Sequence, residues 1–371
     1  MYKMLLSWFF LSVLFSCSNK PANSESKNIK EIADSSNTTK NVMPPLKEGI
    51  TDIEENAFGK TIELEGKAFD LQQIFRPSEV EMIVKDDYLV LKTLQNKDMF
   101  MVFSLPELKL VHKFGIHGGG PNEFNSPYLV STPEQDKICY IYDANWQKLY
   151  YLKKDFSLFL TKNKFPKGKL PASFLKQIYV LNKQDMLYVT AAGKGKKIFH
   201  YTKDSIVQEK EIFDLSLYPE YNNWAAYTGS FGVNIKKNRM VYAYKYFRQI
   251  KFLSVNGKKE HQLILKQKKT KAGNARAMLA PTNITYYWKM STTKEHVYVS
   301  YSGRTPIEVV RDEKKGKDYI HIEEFDWNGN PKRKFKLDKW GYFCVDEKRN
   351  KLYLIATNAE EPFYVYDLPN K

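Results

Sequence analysis

The stretch Asp136–Lys162, "DKICYIYDANWQKLYYLKKDFSLFLTK", decides the fold. Two tyrosine-rich apolar runs of strand length flank the polar turn around Asp143–Gln147. A second polar turn then leads into a third apolar run, so the segment reads as an antiparallel meander. Aromatic and β-branched residues suit pleated backbone, and Asp and Asn suit the turns between strands. The first run returns along the chain as "KDDYLVLKT", "DKICYIYDA", "KQDMLYVTA", "KNRMVYAYK", "KEHVYVSYS" and "KRNKLYLIA". Anchored on Val90, Tyr140, Tyr188, Tyr242, Tyr298 and Tyr353, the separations are 50, 48, 54, 56 and 55 residues. Five of the six anchors are tyrosine, which makes this a repeat and not a coincidence of composition.

Each anchor strand is followed by a second: "MFMVFSLPE", "KLYYLKKD", "KIFHYTKD", "IKFLSVNG", "YIHIEEFDWNG" and "PFYVYDLPN". In five units a third strand leaves the next turn, as "KLVHKFG", "SLFLTK", "SIVQEKEIF", "EHQLILK" and "PKRKFKL". The sixth unit reaches Lys371 without one. Its match is expected in "KTIELEG", Lys60–Gly66, ahead of the first unit. Six units of about 50 residues, each a four-stranded antiparallel sheet, predict an all-β, six-bladed β-propeller whose N-terminal strand closes the last blade. A large sandwich would show neither even spacing nor matched ends. Gly273–Ala280 is the only short helical candidate.

The glycine-rich stretch "FGIHGGGPNEFNSPYLV", Phe114–Val130, falls between the first and second units. A phosphate-binding loop needs Lys and Ser or Thr after its glycines and then a helix, whereas Asn122-Glu123-Phe124 and a strand follow here. A dinucleotide loop fails for want of any βαβ context. The stretch is therefore a blade crossing, with glycines expected at positive backbone angles. Phe124 is expected to plug between sheets, Pro127 to start a strand, and Asp143 and Asn145 to form the tight turn.

The N-terminus carries its own signals. Residues 1–16 read as a signal peptide with an apolar run at Leu5–Phe15, too short for a permanent membrane span. Leu14-Phe15-Ser16-Cys17 resembles a bacterial lipobox, which implies cleavage before Cys17 and its lipidation. Residues 17–57 are expected to be the lipidated Cys and a disordered tether, rich in Ser, Asn, Lys and Glu and poor in aromatics. Some 40 flexible residues reach roughly 35 Å. Ser18 favours the outer membrane and no acidic run follows it, so a periplasm-facing outer-membrane protein is expected, with surface exposure as the alternative. The propeller then occupies residues 58–371. Within it Cys139 and Cys344 lie in apolar strands, as two buried thiols or, in an oxidising compartment, a disulfide.

The formal net charge is +16. The leader holds +1 and residues 18–57 hold five Lys against seven Asp and Glu, which leaves +17 on the propeller. Nucleic acid is an unlikely partner for an exported chain, so the excess points to solvated sheet edges or to anionic glycan or lipid surfaces.

The unit "FGIHGGGPNEFNSPYLVSTPEQDKICYIYDANWQKLYYL" resembles an NHL repeat in its Phe-Gly start and in Gly120, Pro121, Phe124, Pro127, Asp143, Asn145 and Lys148. Together with the lipobox, the whole chain is similar to the TolB-like six-bladed propeller lipoproteins of Gram-negative envelopes. That resemblance implies a tethered envelope propeller and leaves its ligand open.

Loops entering the inner strands share one face with loops joining the second and third strands. They carry Arg76, Trp146, Tyr221, Trp224, Tyr227, Arg248, Trp288, Arg304 and Trp340, the residue types used by interfaces and sugar-stacking sites. The candidate ligand-binding residues are Arg76, His117, Trp224, Tyr227, Arg248, Trp288 and Arg304, with Trp224 and Trp288 foremost. No catalytic residue, metal ligand or cofactor is assigned, because the six histidines show no paired spacing and no nucleophile motif occurs. Two functions stand: a non-catalytic binding module for an envelope protein or glycan, anchored to the membrane through Cys17, and a propeller hydrolase or lyase with a central-channel, Ca²⁺-dependent site.

Overall fold

The computed structural model describes residues 45–120, 123–161, 177–182, 184–193, 195–203, 207–219, 223–266 and 283–370. Three short strands come first: β1 (Gly49–Ile53), β2 (Ile62–Leu64) and β3 (Lys67–Ala68). Blade 1 is β4 (Glu81–Lys85), β5 (Tyr88–Lys92), β6 (Phe100–Ser104) and β7 (Lys109–Phe114). At the crossing to blade 2, β8 (Ile116–His117) pairs in parallel with β9 (Glu123–Phe124). Blade 2 follows as β10 (Pro127–Val130), β11 (Lys137–Asp143), β12 (Lys148–Lys153) and β13 (Leu158–Leu160). Blade 3 is β14 (Gln177–Val180), β15 (Asp185–Ala192), β16 (Gly195–Lys203) and β17 (Val207–Asp214).

Blade 4 comprises β18 (Gly229–Asn234), β19 (Arg239–Tyr244), β20 (Gln249–Leu253) and β21 (Glu260–Leu265). Blade 5 comprises β22 (Thr285–Thr292), β23 (His296–Arg304), β24 (Ile320–Asp326) and β25 (Pro331–Leu337). Blade 6 has β26 (Gly341–Asp346), β27 (Lys351–Ala356) and β28 (Phe363–Asp367), with β3 as its outer strand. The inner strands touch in sequence around a ring, β4, β10, β14, β18, β22, β26 and back to β4. The chain is a six-bladed β-propeller.

The burial pattern explains why the anchor strands were so legible. Every residue of β11 and β19 is buried, because each strand is sandwiched between its own sheet neighbours and the next blade. Strands buried on both faces read as unbroken apolar runs. The outer strand β7, with one face in water, alternates instead. Six apolar clusters form the core, each between two adjacent blades. All six anchors lie in them at 1% exposure or less. Tyrosine suits the position because its ring fills the inter-blade gap while its hydroxyl finds a partner. Tyr242 donates to the Tyr227 carbonyl at 2.6 Å, Tyr298 to Glu324 at 3.0 Å, and Tyr140 and Tyr188 to Glu134 and Glu209.

The ring closes differently from expectation. Lys60–Gly66 does not complete blade 6: its strand, β2, pairs in parallel with β25 as a fifth strand of blade 5. The closing strand is the next one, β3, where Lys67 and Ala68 pair antiparallel with Val365 and Tyr364. The expected tether is also shorter at its C-terminal end. Residues 49–53 form β1, parallel to β21 on the outside of blade 4, and Leu46 is buried in the core between blades 4 and 5. A 40-residue polar stretch hid a strand whose apolar side chains are few. Residues 1–44 lie outside the described residues, as does the helical candidate Gly273–Ala280.

Among the described residues the one α-helix is α1 (Pro306–Glu313), in the β23–β24 connection. Its start is written in the sequence as a capping box: Thr305 accepts from the Glu308 backbone N–H, and Glu308 accepts in return from the Thr305 N–H. Cys139 and Cys344 are both buried free thiols, with burial pushing the Cys139 thiol up to about 12.

At the blade 1–2 crossing, Phe124 is fully buried between Phe100 and Tyr150, as the sequence predicts. Asp143 ties the crossing to the turn, accepting from Asn125 N at 2.6 Å and Trp146 N at 3.1 Å. Positive φ belongs to Gly115 (+88°) and not to the Gly118–Gly120 cluster. Those glycines serve a close approach instead. The Glu123 carboxylate accepts from Gly120 N at 2.6 Å, and a Cβ on Gly118 would lie 2.1 Å from it.

Truncation through Ala68 removes the outermost strands of blades 4, 5 and 6 and bares three sheet edges. The shortened chain should melt more than about 5 °C lower and self-associate as concentration rises. Differential scanning calorimetry and light scattering check this, and unchanged melting would show that closure contributes little.

Candidate functional site

The six inner strands leave a cavity of about 640 Å³ on the propeller axis, lined by residues of all six blades. That size lies within the roughly 300–1,000 Å³ usual for ligand sites. Its charged lining residues are Glu79, Glu81, Lys92, Lys245 and Lys289, among Tyr128, Tyr179, Trp288 and Tyr342.

The site is organised by an irregularity in β22. The β22–β23 register shifts between Thr285 and Tyr287 and again between Tyr287 and Met290, so Trp288 and Lys289 sit in a bulge. Ser300, fully buried on β23, takes the place of the regular ladder there. Its hydroxyl accepts from Lys289 N at 2.8 Å and donates to the Lys289 carbonyl at 3.2 Å. A bulge re-aims side chains, and this one delivers both residues to the cavity wall.

Lys245 arrives from the neighbouring blade, immediately after β19. Its backbone N–H donates to Thr228 O and its carbonyl accepts from Tyr286 N, both at 2.7 Å, which ties the β19–β20 loop to the start of β22. The Lys245 ammonium then lies 4.8 Å from the Trp288 ring centroid and 5.3 Å from that of Tyr246. Lys289 faces the Tyr342 ring at 5.4 Å, and Trp340 packs beside Trp288 with ring centroids 6.2 Å apart.

The three cavity lysines differ in their partners. Lys92 is neutralised by Glu81 at 3.1 Å, and Glu81 also accepts from Leu129 N at 2.7 Å. Neither Lys245 nor Lys289 has a carboxylate partner among the described residues. Burial holds both ammonium groups below the usual lysine range, and their mutual repulsion lowers Lys245 further. Glu81 and Glu79 partly offset this for Lys289, while Lys92 opposes them.

The bulge rests on a buried ionic cluster between blades 4 and 5. Arg248 makes a two-pronged bond to Glu323, Nη2 to Oε1 at 2.6 Å and Nη1 to Oε2 at 2.9 Å. The Tyr287 hydroxyl accepts from Arg248 at 2.9 Å and donates to Glu323 at 3.2 Å, and Lys334 adds a contact at 3.5 Å. The guanidinium stacks 3.5 Å from the Tyr301 centroid. Glu323 is 0% exposed, yet Arg248 outweighs the burial and keeps its carboxyl below the usual range. Tyr287, the residue before Trp288, is thereby held from both sides.

His321 lies two residues from Glu323 on the same strand, against Tyr301 and Tyr319. Burial, with Lys334, Arg304 and Lys336 nearby, lowers its pKa to about 4. Its Nδ1 has no hydrogen-bond partner among the described residues.

Of the sequence candidates, the structure brings Trp288 alone to the cavity. Tyr227 is buried, its hydroxyl donating to the Tyr218 carbonyl at 2.7 Å. Arg248 is spent on Glu323, and Arg304 on Asp312 at 3.1 Å and on the Tyr319 carbonyl. These three are structural: buried guanidinium and phenol groups must be paired, and the partners lie within the fold. Arg76 and His117 are exposed, and Trp224 is half-buried in a short 3₁₀ turn, none of them lining the cavity. Tyr221 lies outside the described residues. Lys245 and Lys289 escaped sequence reading because isolated lysines in and beside strands are common in a chain this basic. The signal that marks them is their proximity to Trp288, at one and forty-three positions' remove. Among the described residues, no group of three or more His, Cys, Asp or Glu is arranged to hold a metal ion, and no helix is long and apolar enough to cross a membrane.

Fold and cavity together define a six-bladed propeller with an axial, aromatic and cation-bearing site. The chain belongs to the TolB-like six-blade propeller-like family, whose model matches residues 57–348. It is similar in structure to a member of the DUF4221 family from Bacteroides vulgatus, with a TM-score of 0.57, 16% identity, and 83% of this chain and 98% of that chain covered. It is also similar to a putative exported protein from Bacteroides fragilis, with a TM-score of 0.52, 13% identity, and 86% and 98% coverage. At these identities the likeness is one of fold. No curated protein matches the sequence.

Arg248→Met should cost about 3–5 kcal/mol by leaving Glu323 charged and unpaired, and Arg248→Met with Glu323→Leu should recover most of that. Urea unfolding of both variants checks it. His321 supplies a pH dependence. Its folded pKa lies below the unfolded value near 6.5, so its contribution is complete above pH 6.5 and fades as pH falls toward about 4. The loss is on the order of 1–3 kcal/mol, and His321→Gln should lose less between pH 7 and pH 5.

Proposed function

We propose that this protein is a binding propeller of the cell envelope, anchored through a lipid on Cys17, that holds a glycan or protein partner at its axial cavity. The observation that carries the reading is the Trp288 ring, with Lys245 over it and Lys289 over the Tyr342 ring, at a cavity of about 640 Å³. An aromatic face beside paired cations binds sugars and polar chain segments well. A cavity of this volume admits a few sugar rings more readily than a folded partner, so a glycan is the favoured occupant. Its placement is the periplasmic side of the outer membrane. The likeness to an exported protein supports export and says nothing of the anchor.

The reading as a hydrolase or lyase, with Ca²⁺ at the axis, has less support. Acid–base or metal chemistry needs carboxylates that converge and stay free. The carboxylates lining the cavity are Glu79 and Glu81, and Glu81 is occupied by Lys92 and the Leu129 N–H.

Two measurements test the proposal. Cys17→Ser should move the protein from the membrane to the soluble fraction and end incorporation of labelled palmitate; retained label would remove the anchor. Saturation-transfer NMR against an oligosaccharide panel should give signals that vanish in Trp288→Ala while its melting temperature holds. Signals unchanged in that variant would place binding away from the cavity.

A further inference from the structure

The cavity is not only aromatic; its charge is unbalanced in one place. Lys92 and Glu81 cancel each other, and what remains is Lys245 and Lys289 against the one carboxylate of Glu79, an excess of positive charge on the lining. Each ammonium faces an aromatic ring, Trp288 or Tyr342, in place of a carboxylate. Lining one cavity with two partly desolvated cations is unfavourable unless another group compensates them. The fold nevertheless builds the arrangement firmly. Lys289 is fixed through both of its backbone polar groups to Ser300, and Lys245 through both of its own to Thr228 and Tyr286. Positions held this way keep their geometry in the free protein, which favours a ligand that supplies the missing charge.

The wider charge pattern runs in the same direction. The chain between β13 and β14, residues 162–176, holds five Lys and no Asp or Glu. The chain between β21 and β22, residues 267–282, holds four Lys and Arg and again no acid. Both segments immediately precede inner strands in the chain, β14 and β22. A net charge of +16 raises the local concentration of anions around the protein and their rate of arrival.

Resting on the glycan reading above and deepening it, we propose that the cavity takes an acidic sugar of the uronic-acid type. The carboxylate pairs with Lys289 and Lys245, and the apolar face of the pyranose ring lies on Trp288. Two charge-assisted bonds and one stacking face suffice to fix the orientation of a ring, and they separate an acidic sugar from its neutral isostere.

The test compares trigalacturonate with its methyl ester, which keeps the ring and removes the charge, by titration calorimetry on the purified full-length chain. The acid should bind at least about tenfold tighter than the ester. Lys289→Gln and Lys245→Gln should each erase that preference, whereas Lys289→Arg keeps it. Trp288→Ala should weaken both sugars. Inorganic phosphate at matched ionic strength should not displace the acid; displacement would mark a general anion site and overturn the sugar assignment. Equal affinity for acid and ester overturns this inference and leaves glycan binding standing. Binding of neither sugar by a chain of normal melting temperature overturns both.

Discussion

The structure depends on closing a ring of sheets. An open propeller would leave the first and last blades with a bare face each, and blade 6 with an unpaired strand edge, so none of the axial geometry would persist. Here the requirement is met by two residues of β3, which bring the N-terminal part of the chain onto β28. Inter-blade packing does the rest. Six apolar clusters, one per junction, turn six separately marginal sheets into one body. The flanking strands β1 and β2 extend blades 4 and 5 outward, so the chain ahead of the first blade braces the wall that carries the site.

That wall also buries polar groups. Arg248 and Glu323, both buried, bridge blades 4 and 5, and Tyr287 is bonded to both. Apolar contacts alone would let neighbouring sheets slide, since they lack direction. A two-pronged ion pair has direction, and breaking it leaves a charge with no solvent. The bulge that presents Trp288 and Lys289 starts at Tyr287, so the site's geometry follows from the clasp beneath it. The buried clasp and the cavity wall thus meet in one strand.

The scaffold was largely legible in the sequence. Strand faces buried on both sides force continuous apolar runs, and inter-blade tyrosines repeat because the same gap recurs six times. Phe124 and Asp143 were legible for a similar reason, since a crossing of this form needs a plug and a turn anchor. The Gly118–Gly120 cluster was read correctly as a crossing and wrongly as a set of positive angles. Its glycines yield room to the Glu123 carboxylate, a contact that composition does not show. The arginines were the clearest misreading. Arg248 lies in a loop and Arg304 at the end of β23, but whether such a residue meets solvent or an acid within the fold depends on a partner 75 or 8 positions away.

By itself the sequence determined the number of blades, the order of strands within each, and the tyrosine-lined interfaces, because these rest on periodicity within about 50 residues. The tertiary structure decided which N-terminal strand closes the ring, since β2 and β3 lie three residues apart and find different edges. It also decided which cations remain unpaired at the axis. Pairing depends on how far each side chain reaches across a junction between blades, and that distance exists only once the ring has closed.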